Sequence, residues 1–470
     1  MAELFESYWP YVTSTALLAA DGWATAHAVL HKRDNRAALG WLGLIWLVPI
    51  AGIVLYAVFG INRIRRKARR LRRNRHPERF TAVAAGAGGS PGLRRLVGEV
   101  TARPVSGYNR IRPLPSGEAA YTEMLAAIAG AERSVGLSTY IFGNDATGHA
   151  FVGALEAAVR RGVAVRVLVD DIGSRYSFPS VVGRLRAAGV PVARFMPSFL
   201  PWRFAYAQLR NHRKILLIDG HAGFTGGMNI RDGHDARTHP RFPIADCHFR
   251  IDGPVLADVR AVFADDWQFA TGEQLDGVAW FPGLKPAGGA EARGIASGPD
   301  DDRETLRLTL LGAIASARRS VRIVTPYFVP EGGLLSALGV AALRGIAVDV
   351  VVPAHNNLRL VHWAMMGQVG DLIGHGGRVW LTPLPFDHTK LVVVDDEWCL
   401  IGSANWDARS LRLNFEFNVE CYDADLVGEL AAMVATKIAR GCRLTAAELN
   451  RRNLLYRLRD GVARLATPYL

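Results

Sequence analysis

The feature that most constrains this chain is a ten-residue phrase that occurs twice. Residues 211–220 read NHRKILLIDG and residues 387–396 read DHTKLVVVDD, an offset of 176. Each time a histidine and a lysine two apart lead into four aliphatics and an aspartate. Two further segments repeat in the same order. AERSVGLSTYIF at 131–142 answers ARRSVRIVTPYF at 317–328, and RRGVAVRVLVDD at 160–171 answers LRGIAVDVVVPA at 343–354, at offsets of 186 and 183. Coincidence could produce one match, whereas three in register describe a duplicated domain with a pseudo-two-fold axis. Within a copy, a strand, an alanine-rich helix (AFVGALEAAVRR) and a continuous apolar strand follow one another, which predicts an α/β unit with covered sheets.

The 470 residues suffice for two such halves and more. We read 104–271 as the first half, the Gly/Pro-rich 272–302 as a connection and 303–470 as the second half. Residues 1–62 read as a membrane anchor and 63–103 as a basic, Gly-rich linker. Residues 39–61 hold no charge, enough to cross about 30 Å of hydrocarbon as one helix. Nine arginines and lysines follow within residues 63–75. A basic block after an apolar run marks a cytoplasmic membrane face bearing anionic lipids and argues against a nucleic-acid partner. The stretch 8–30, which carries Asp21 and His27, is either a second span that makes a hairpin or an interfacial helix. MAELFESYW is acidic where a secretory signal needs a basic start. Cys247, Cys399, Cys421 and Cys442 show no CxxC pairing, which fits a reducing cytosol with neither zinc site nor disulfide framework.

Residues two apart in a strand share a face, so His212 stands beside Lys214 and His388 beside Lys390. After six intervening residues beyond each aspartate come GGMN (226–229) and GSAN (402–405), two small residues that allow close backbone approach and, one residue on, Asn229 or Asn405. Brought together, two imidazoles, two ammoniums and two amides suit a tetrahedral phosphodiester. One histidine attacks phosphorus, the other protonates the leaving alcohol, and lysine and asparagine hold the oxygens. No metal or other cofactor is called for.

The paired HxKx4D signatures, His212-Lys214-Asp219 and His388-Lys390-Asp395, each with its small pair and asparagine, resemble those of the phospholipase D superfamily. RDNRAALGWLGLIWLVPIAGIVLYAVFG, TPYFVP (325–330), GSANWDARSLRLNFEFN (402–418) and RLRDGVARLATPYL resemble the bacterial cardiolipin synthases in particular. The resemblance covers nearly the whole chain. It implies His212 as nucleophile, forming a phosphohistidine, and His388 as acid and then base. It implies phosphate binding by Lys214, Lys390, Asn229 and Asn405, and imidazole orientation by Asp246 and Glu416. Asp219 and Asp395 complete the signatures and are expected to stabilise the turn at the strand end. The implied reaction makes cardiolipin and glycerol from two phosphatidylglycerol molecules. Hydrolysis by water and transfer to phosphatidylethanolamine or serine are the alternatives. The implied location is the bacterial inner membrane with the catalytic domain cytoplasmic, and a homo-oligomer is left open.

Two departures from the family stand out. Asp387, before His388, replaces an expected apolar residue and either raises the basicity of that histidine or caps a loop. VVPAHNN lacks an acidic residue after its proline. Residues 196–214, rich in aromatics and arginines, form either a lip at the membrane interface or ordinary packing. Tyr140 and Tyr327, at matching strand ends, are candidate lipid contacts or packing residues.

Overall fold

The computed structural model describes residues 2–32, 35–60, 90–197, 209–299 and 304–467. The basic run at 63–75, most of the Gly-rich tether and the centre of the expected lip at 198–208 lie outside them. The chain divides into two compact units, residues 1–73 with 198–208, and the remainder.

In the first unit, helix Ala2–His31 packs with helix Asn35–Leu47, burying Ala24, Ala28, Ile45 and Tyr56. Tyr56 Oη lies 2.8 Å from His27 Nδ1, and Trp46 Nε1 donates to Thr25 Oγ1 at 3.1 Å. The single helix expected over 39–61 is broken. Asn35–Leu47 ends at Val48, Pro49 starts a second helix to Leu55, and a π turn covers Tyr56–Gly60. Proline accounts for the break, since it lacks an N–H and is best accommodated in a first turn. Val48 N donates to Leu44 O at 3.1 Å and Gly52 N to Val48 O at 2.6 Å, and beyond the break the chain turns back, so that the Tyr56 ring lies 5.3 Å from that of Trp41. No helix among the described residues is long and apolar enough by itself to cross a membrane.

The second unit holds both copies of the repeat. The first copy supplies β1 (Ser106–Leu114), β2 (Ser134–Thr139), β3 (Ala164–Asp170), β4 (Val192–Phe195), β5 (Ile215–Ile218), β6 (Ala222–Gly226), β7 (Ile244–Ala245) and β8 (His248–Asp252). β9 (Ala290–Ser297) follows. The second copy supplies β10 (Ser320–Val324), β11 (Phe328–Val329), β12 (Ala347–Pro353), β13 (Arg378–Thr382), β14 (Phe386–Asp387), β15 (Leu391–Val394), β16 (Trp398–Gly402), β17 (Trp406–Asp407), β18 (Glu416–Cys421) and β19 (Cys442–Leu444). The first copy runs β1-β8-β6-β5-β2-β3-β4 across its sheet. The second runs β9-β18-β16-β15-β10-β12-β13, with β19 added at the edge. β1 and β9 pair antiparallel, so the copies share one continuous sheet. The parallel strands are the outer ones, β2-β3-β4 and β10-β12-β13, whose returns pass through helices such as Ala146–Arg160 and Gly332–Leu343.

The fold is thus α/β and duplicated, with one correction. The stretch 272–302 is not only a connection, because β9 inside it founds the second copy's sheet. AEARGIAS is poor in β-branched residues, so strand propensity does not reveal it. Packing explains the composition: a Cβ at Gly294 would lie 2.4 Å from the Asp258 Cβ. Arg293, on the same strand and 1 % exposed, donates to Glu420 Oε1 at 2.7 Å and to the carbonyls of Arg103 and Arg94. Removing one partner of such a buried pair costs about 3–5 kcal/mol, so the seam between copies is firmly held. A core shared by both copies covers it, built on helices Leu256–Thr271 and Ala424–Arg440.

Candidate active site

Two short parallel pairings, apart from the large sheet, bring the motifs together. β7 pairs with β14, and Asn211 bridges Phe415. His388 N donates to Ala245 O at 2.7 Å and His212 N to Phe415 O at 2.9 Å. Each histidine is therefore fixed beside the residue that precedes the other copy's acid. The side chains follow: His212 Nδ1 donates to Glu416, 3.0 Å from Oε1 and 3.1 Å from Oε2, and His388 Nδ1 donates to Asp246 Oδ2 at 2.9 Å. The carboxylates fix the Nδ1–H tautomer, which leaves each Nε2 with its lone pair. The orienting acids are exchanged between the copies, which the repeat alone does not reveal.

The lysines lie just ahead of β5 and β15, each tied back to its own histidine. Lys214 Nζ donates to His212 O at 2.6 Å, and Lys390 Nζ donates to His388 O. Burial lowers both ammoniums, Lys214 to about 7 and Lys390 to about 8, against the pull of nearby acids, Glu416 for Lys214 and Asp246 for Lys390. Asn229 Oδ1 accepts from Ile141 N at 3.1 Å, and Tyr121 Oη donates to the Asn229 carbonyl. Asn405 is buried, and among the described residues its Oδ1 has no hydrogen-bond partner. The Tyr140 ring lies 5.1 Å from His212 and the Tyr327 ring 6.4 Å from His388, so both tyrosines flank the imidazoles.

Both imidazoles are about 9 % exposed, and burial lowers their pKa values. Glu416 opposes this for His212. For His388 the charges of Lys390, Lys214 and His212 add to burial and push it well below the ordinary histidine range. Burial would raise Glu416, but His212, Lys214 and the Ser403 hydroxyl outweigh it and hold its pKa below the usual value. Asp246 goes the other way, pushed up to about 6 by burial.

Asp219 and Asp395 stand apart from this chemistry. They end β5 and β15 at positive φ, +50° and +53°, five residues beyond the lysines. At about 3.3 Å per residue that is roughly 16 Å away. Asp219 accepts from the backbone N–H groups of Glu132, Arg133 and Ser134, and Asp395 from those of Arg318, Arg319 and Ser320. They hold the strand ends through these backbone bonds. Asp387 caps a loop: its Oδ1 accepts from Thr389 N at 3.0 Å and its Oδ2 meets Lys437 Nζ at 2.5 Å. It repeats Asn211, whose Oδ1 accepts from Arg213 N at 3.1 Å, the usual Asx turn.

Two residues near the site escape sequence reasoning. Asp170, 1 % exposed, accepts from Asn211 N at 2.9 Å and from Ile172 and Gly173, which fixes the approach to His212. Its counterpart by offset is Pro353. His234 is buried on a short turn with its ring 6.0 Å from His388, and burial pushes its pKa down to about 3. The equivalent position in the second copy is Ser410, so the repeat does not flag it. His234, Asp246 and His388 offer ligand atoms within 4.8 Å of one another. The carboxylate is already engaged, Oδ2 with His388 and Oδ1 with Cys247 N, so a metal ion would have to displace those bonds.

Residues 124–235 and 310–437 match the family model described as cardiolipin synthase, PLD-like domain, and residues 19–60 match that of the phospholipase D-nuclease N-terminal. The chain is 34 % identical over 365 residues to the major cardiolipin synthase ClsA of Bacillus subtilis (strain 168), covering 77 % of this chain and 76 % of that protein. It is 33 % identical over 459 residues to cardiolipin synthase A of Pseudomonas putida (strain W619), covering 95 % of each. Among solved structures, the phosphatidylserine synthase of Haemophilus influenzae Rd KW20 matches with a TM-score of 0.63 over 80 % of this chain and 100 % of that one. At 15 % identity that likeness shows the fold alone.

Proposed function

The chain belongs to the cardiolipin synthase family of PLD-like domains, and from that premise we propose how it carries out phosphatidyl transfer. The substrates are two phosphatidylglycerol molecules and the products are cardiolipin and glycerol. His212 Nε2 attacks the phosphorus of the first lipid. The bond to the glycerol oxygen breaks, and His388 delivers a proton to that oxygen as glycerol leaves. His388 then takes the proton from a free hydroxyl of the second lipid, whose oxygen attacks the phosphohistidine and regenerates His212. Lys214, Lys390, Asn229 and Asn405 hold the non-bridging oxygens as charge builds.

The crossed histidine–carboxylate pairs carry this reading. They orient both imidazoles through Nδ1 and leave Nε2 of each for chemistry. The electrostatic difference between them supports the order of events. A phosphorylated imidazole that keeps its Nδ1 proton is cationic, and ionised Glu416 favours that charge on His212. His388 must enter the cycle protonated on Nε2 as well as Nδ1; its lowered pKa makes it a ready donor of the Nε2 proton, and the neutral imidazole left behind can take a proton from the second lipid.

The lipid substrate supports placing residues 1–62 as an anchor in a bacterial inner membrane, with the catalytic unit on the cytoplasmic side. The apolar run 39–61 and the nine basic residues at 63–75 favour that topology. Incubating the full chain in phosphatidylglycerol vesicles and resolving the products tests the reaction. Cardiolipin and glycerol in equal amounts, lost in His212→Ala, are expected. Phosphatidic acid as the main product would replace transfer by hydrolysis.

A further inference from the structure

The last described helix, Leu454–Leu465, has a face that nothing among the described residues covers. At about 100° per residue, Leu454, Leu465, Leu458, Val462 and Leu455 fall within an arc of about 100°. Their exposures are 66, 76, 56, 67 and 71 % respectively. Arg457 and Arg464 border this stripe on one side and Arg459 on the other. The opposite face is the packed one: Asp460 and Ala463 are buried, and Asp460 is neutralised by Arg452 and Arg459 at 2.5 and 2.8 Å. Residues 440–467 carry seven arginines against two acids.

The position of the helix points to its occupant. It packs on helix Arg359–Met366, with the Arg459 guanidinium 4.5 Å from the Trp363 ring. Just before that helix come Leu358, itself 47 % exposed, and Asn357, whose Oδ1 accepts from Tyr327 Oη at 2.9 Å. Tyr327 flanks His388. The helix is thus joined, through Arg359–Met366 and the turn before it, to the tyrosine that flanks the reacting histidine, and a lipid substrate must reach that histidine from a bilayer.

We propose that Leu454–Leu465 is an interfacial membrane helix. It lies in the head-group region of an anionic bilayer with Leu454, Leu455, Leu458, Val462 and Leu465 in the acyl boundary and Arg457 and Arg464 among the phosphates. It is a second attachment, separate from residues 1–62, and sets the mouth of the catalytic cleft against the lipid surface. The lipid source of substrate rests on the function proposed above, but the attachment is measured without turnover.

The test uses the full chain with Cys442→Ser, labelled with an environment-sensitive fluorophore at Leu458→Cys or, as a control on another exposed helix, at Glu429→Cys. Reconstitution is into vesicles of phosphatidylglycerol and phosphatidylcholine, with and without lipids carrying a quencher near the head group. At 458 the emission should shift to the blue and be quenched several-fold by the lipid quencher, with neither change at 429. The quenching should fall when phosphatidylcholine replaces phosphatidylglycerol. An unquenched label in water at 458 overturns the proposal. A blue shift already present in detergent, dependent on protein concentration and blind to the lipid quencher, also overturns it in favour of a second copy on this face. As a functional readout, Leu455→Glu with Leu458→Glu should raise KM for vesicle lipid about tenfold and leave turnover of a short-chain, water-soluble phosphatidylglycerol unchanged.

Discussion

Between His212 and Lys214 the first copy places Arg213, and between His388 and Lys390 the second copy places Thr389. Arg213 is buried, ion-paired to Asp266 at 2.5 Å, and donates to the carbonyls of Glu416 and Ser297 at 3.1 and 3.2 Å. It ties the first motif directly to the second copy. Thr389 has no such reach, and its loop is held by the more exposed Lys437–Asp387 pair. The small residues differ too. Ser403 Oγ donates to Glu416 Oε2 at 2.5 Å, whereas a Cβ at Gly227 would lie 2.5 Å from the Asp246 carboxylate. The glycine before each is common to both copies, at φ +149° and +153°, a conformation side chains rarely adopt. Duplication thus supplies the frame twice, and the substitutions on it make two chemically distinct histidines: one beside an ionised carboxylate, the other held neutral.

The sharpest break of the comparison is at the histidines. His212→Ala and His388→Ala should each lower turnover by about 10³-fold or more, but only His388→Ala should accumulate a phosphoenzyme, detected by acid-labile label from phosphate-labelled lipid. Label on another residue would reverse the assignment. The crossed acids come next. Asp246→Asn should mimic His388→Ala, and Glu416→Gln should mimic His212→Ala, each losing on the order of 10²–10⁴-fold through a misplaced tautomer. Defects confined to the histidine of the same copy would refute the exchange.

Arg213→Ala should destabilise the protein by about 3–5 kcal/mol because it strands buried Asp266. Lys437→Ala, at a partly exposed pair, should cost about 1 kcal/mol or less. Denaturant unfolding of both variants compares the seams directly. The buried lysines sharpen the comparison through pH. A lowered pKa means the ammonium is lost on raising pH, so kcat/KM should fall along an alkaline limb near 7–8 instead of near 10. Lys214→Arg should move that limb upward if the charge is what matters. The smallest effect on rate expected among these variants is that of Ser403→Ala, which removes one bond to Glu416, worth about 1–2 kcal/mol or a roughly tenfold loss. Gly227→Ala, by contrast, should be much worse because the methyl meets Asp246.

Much of this site was legible in the chain. The period-2 alternation put each lysine beside its histidine, the offset of 176 located both motifs, and the small pairs lay where the backbone needs them. His234 and Asp170 were hidden because each breaks the repeat. β9 was hidden because close packing at the seam selects small residues with weak strand preference. The uncharged run 39–61 set the apolar character of the N-terminal unit, and Pro49 decided where its helix breaks.

What the sequence determined by itself is therefore local: the α/β duplication, the paired imidazole–ammonium sets, and the acids available to orient them. Which acid meets which imidazole was decided by tertiary structure. The partners lie 204 and 142 residues apart, and two equivalent carboxylates satisfy the same local pattern. Periodicity and propensity act over a few residues and carry no information at that separation. The antiparallel union of β1 with β9, reinforced by buried Arg293 and Arg213, faces the copies so that each histidine reaches the acid of the other.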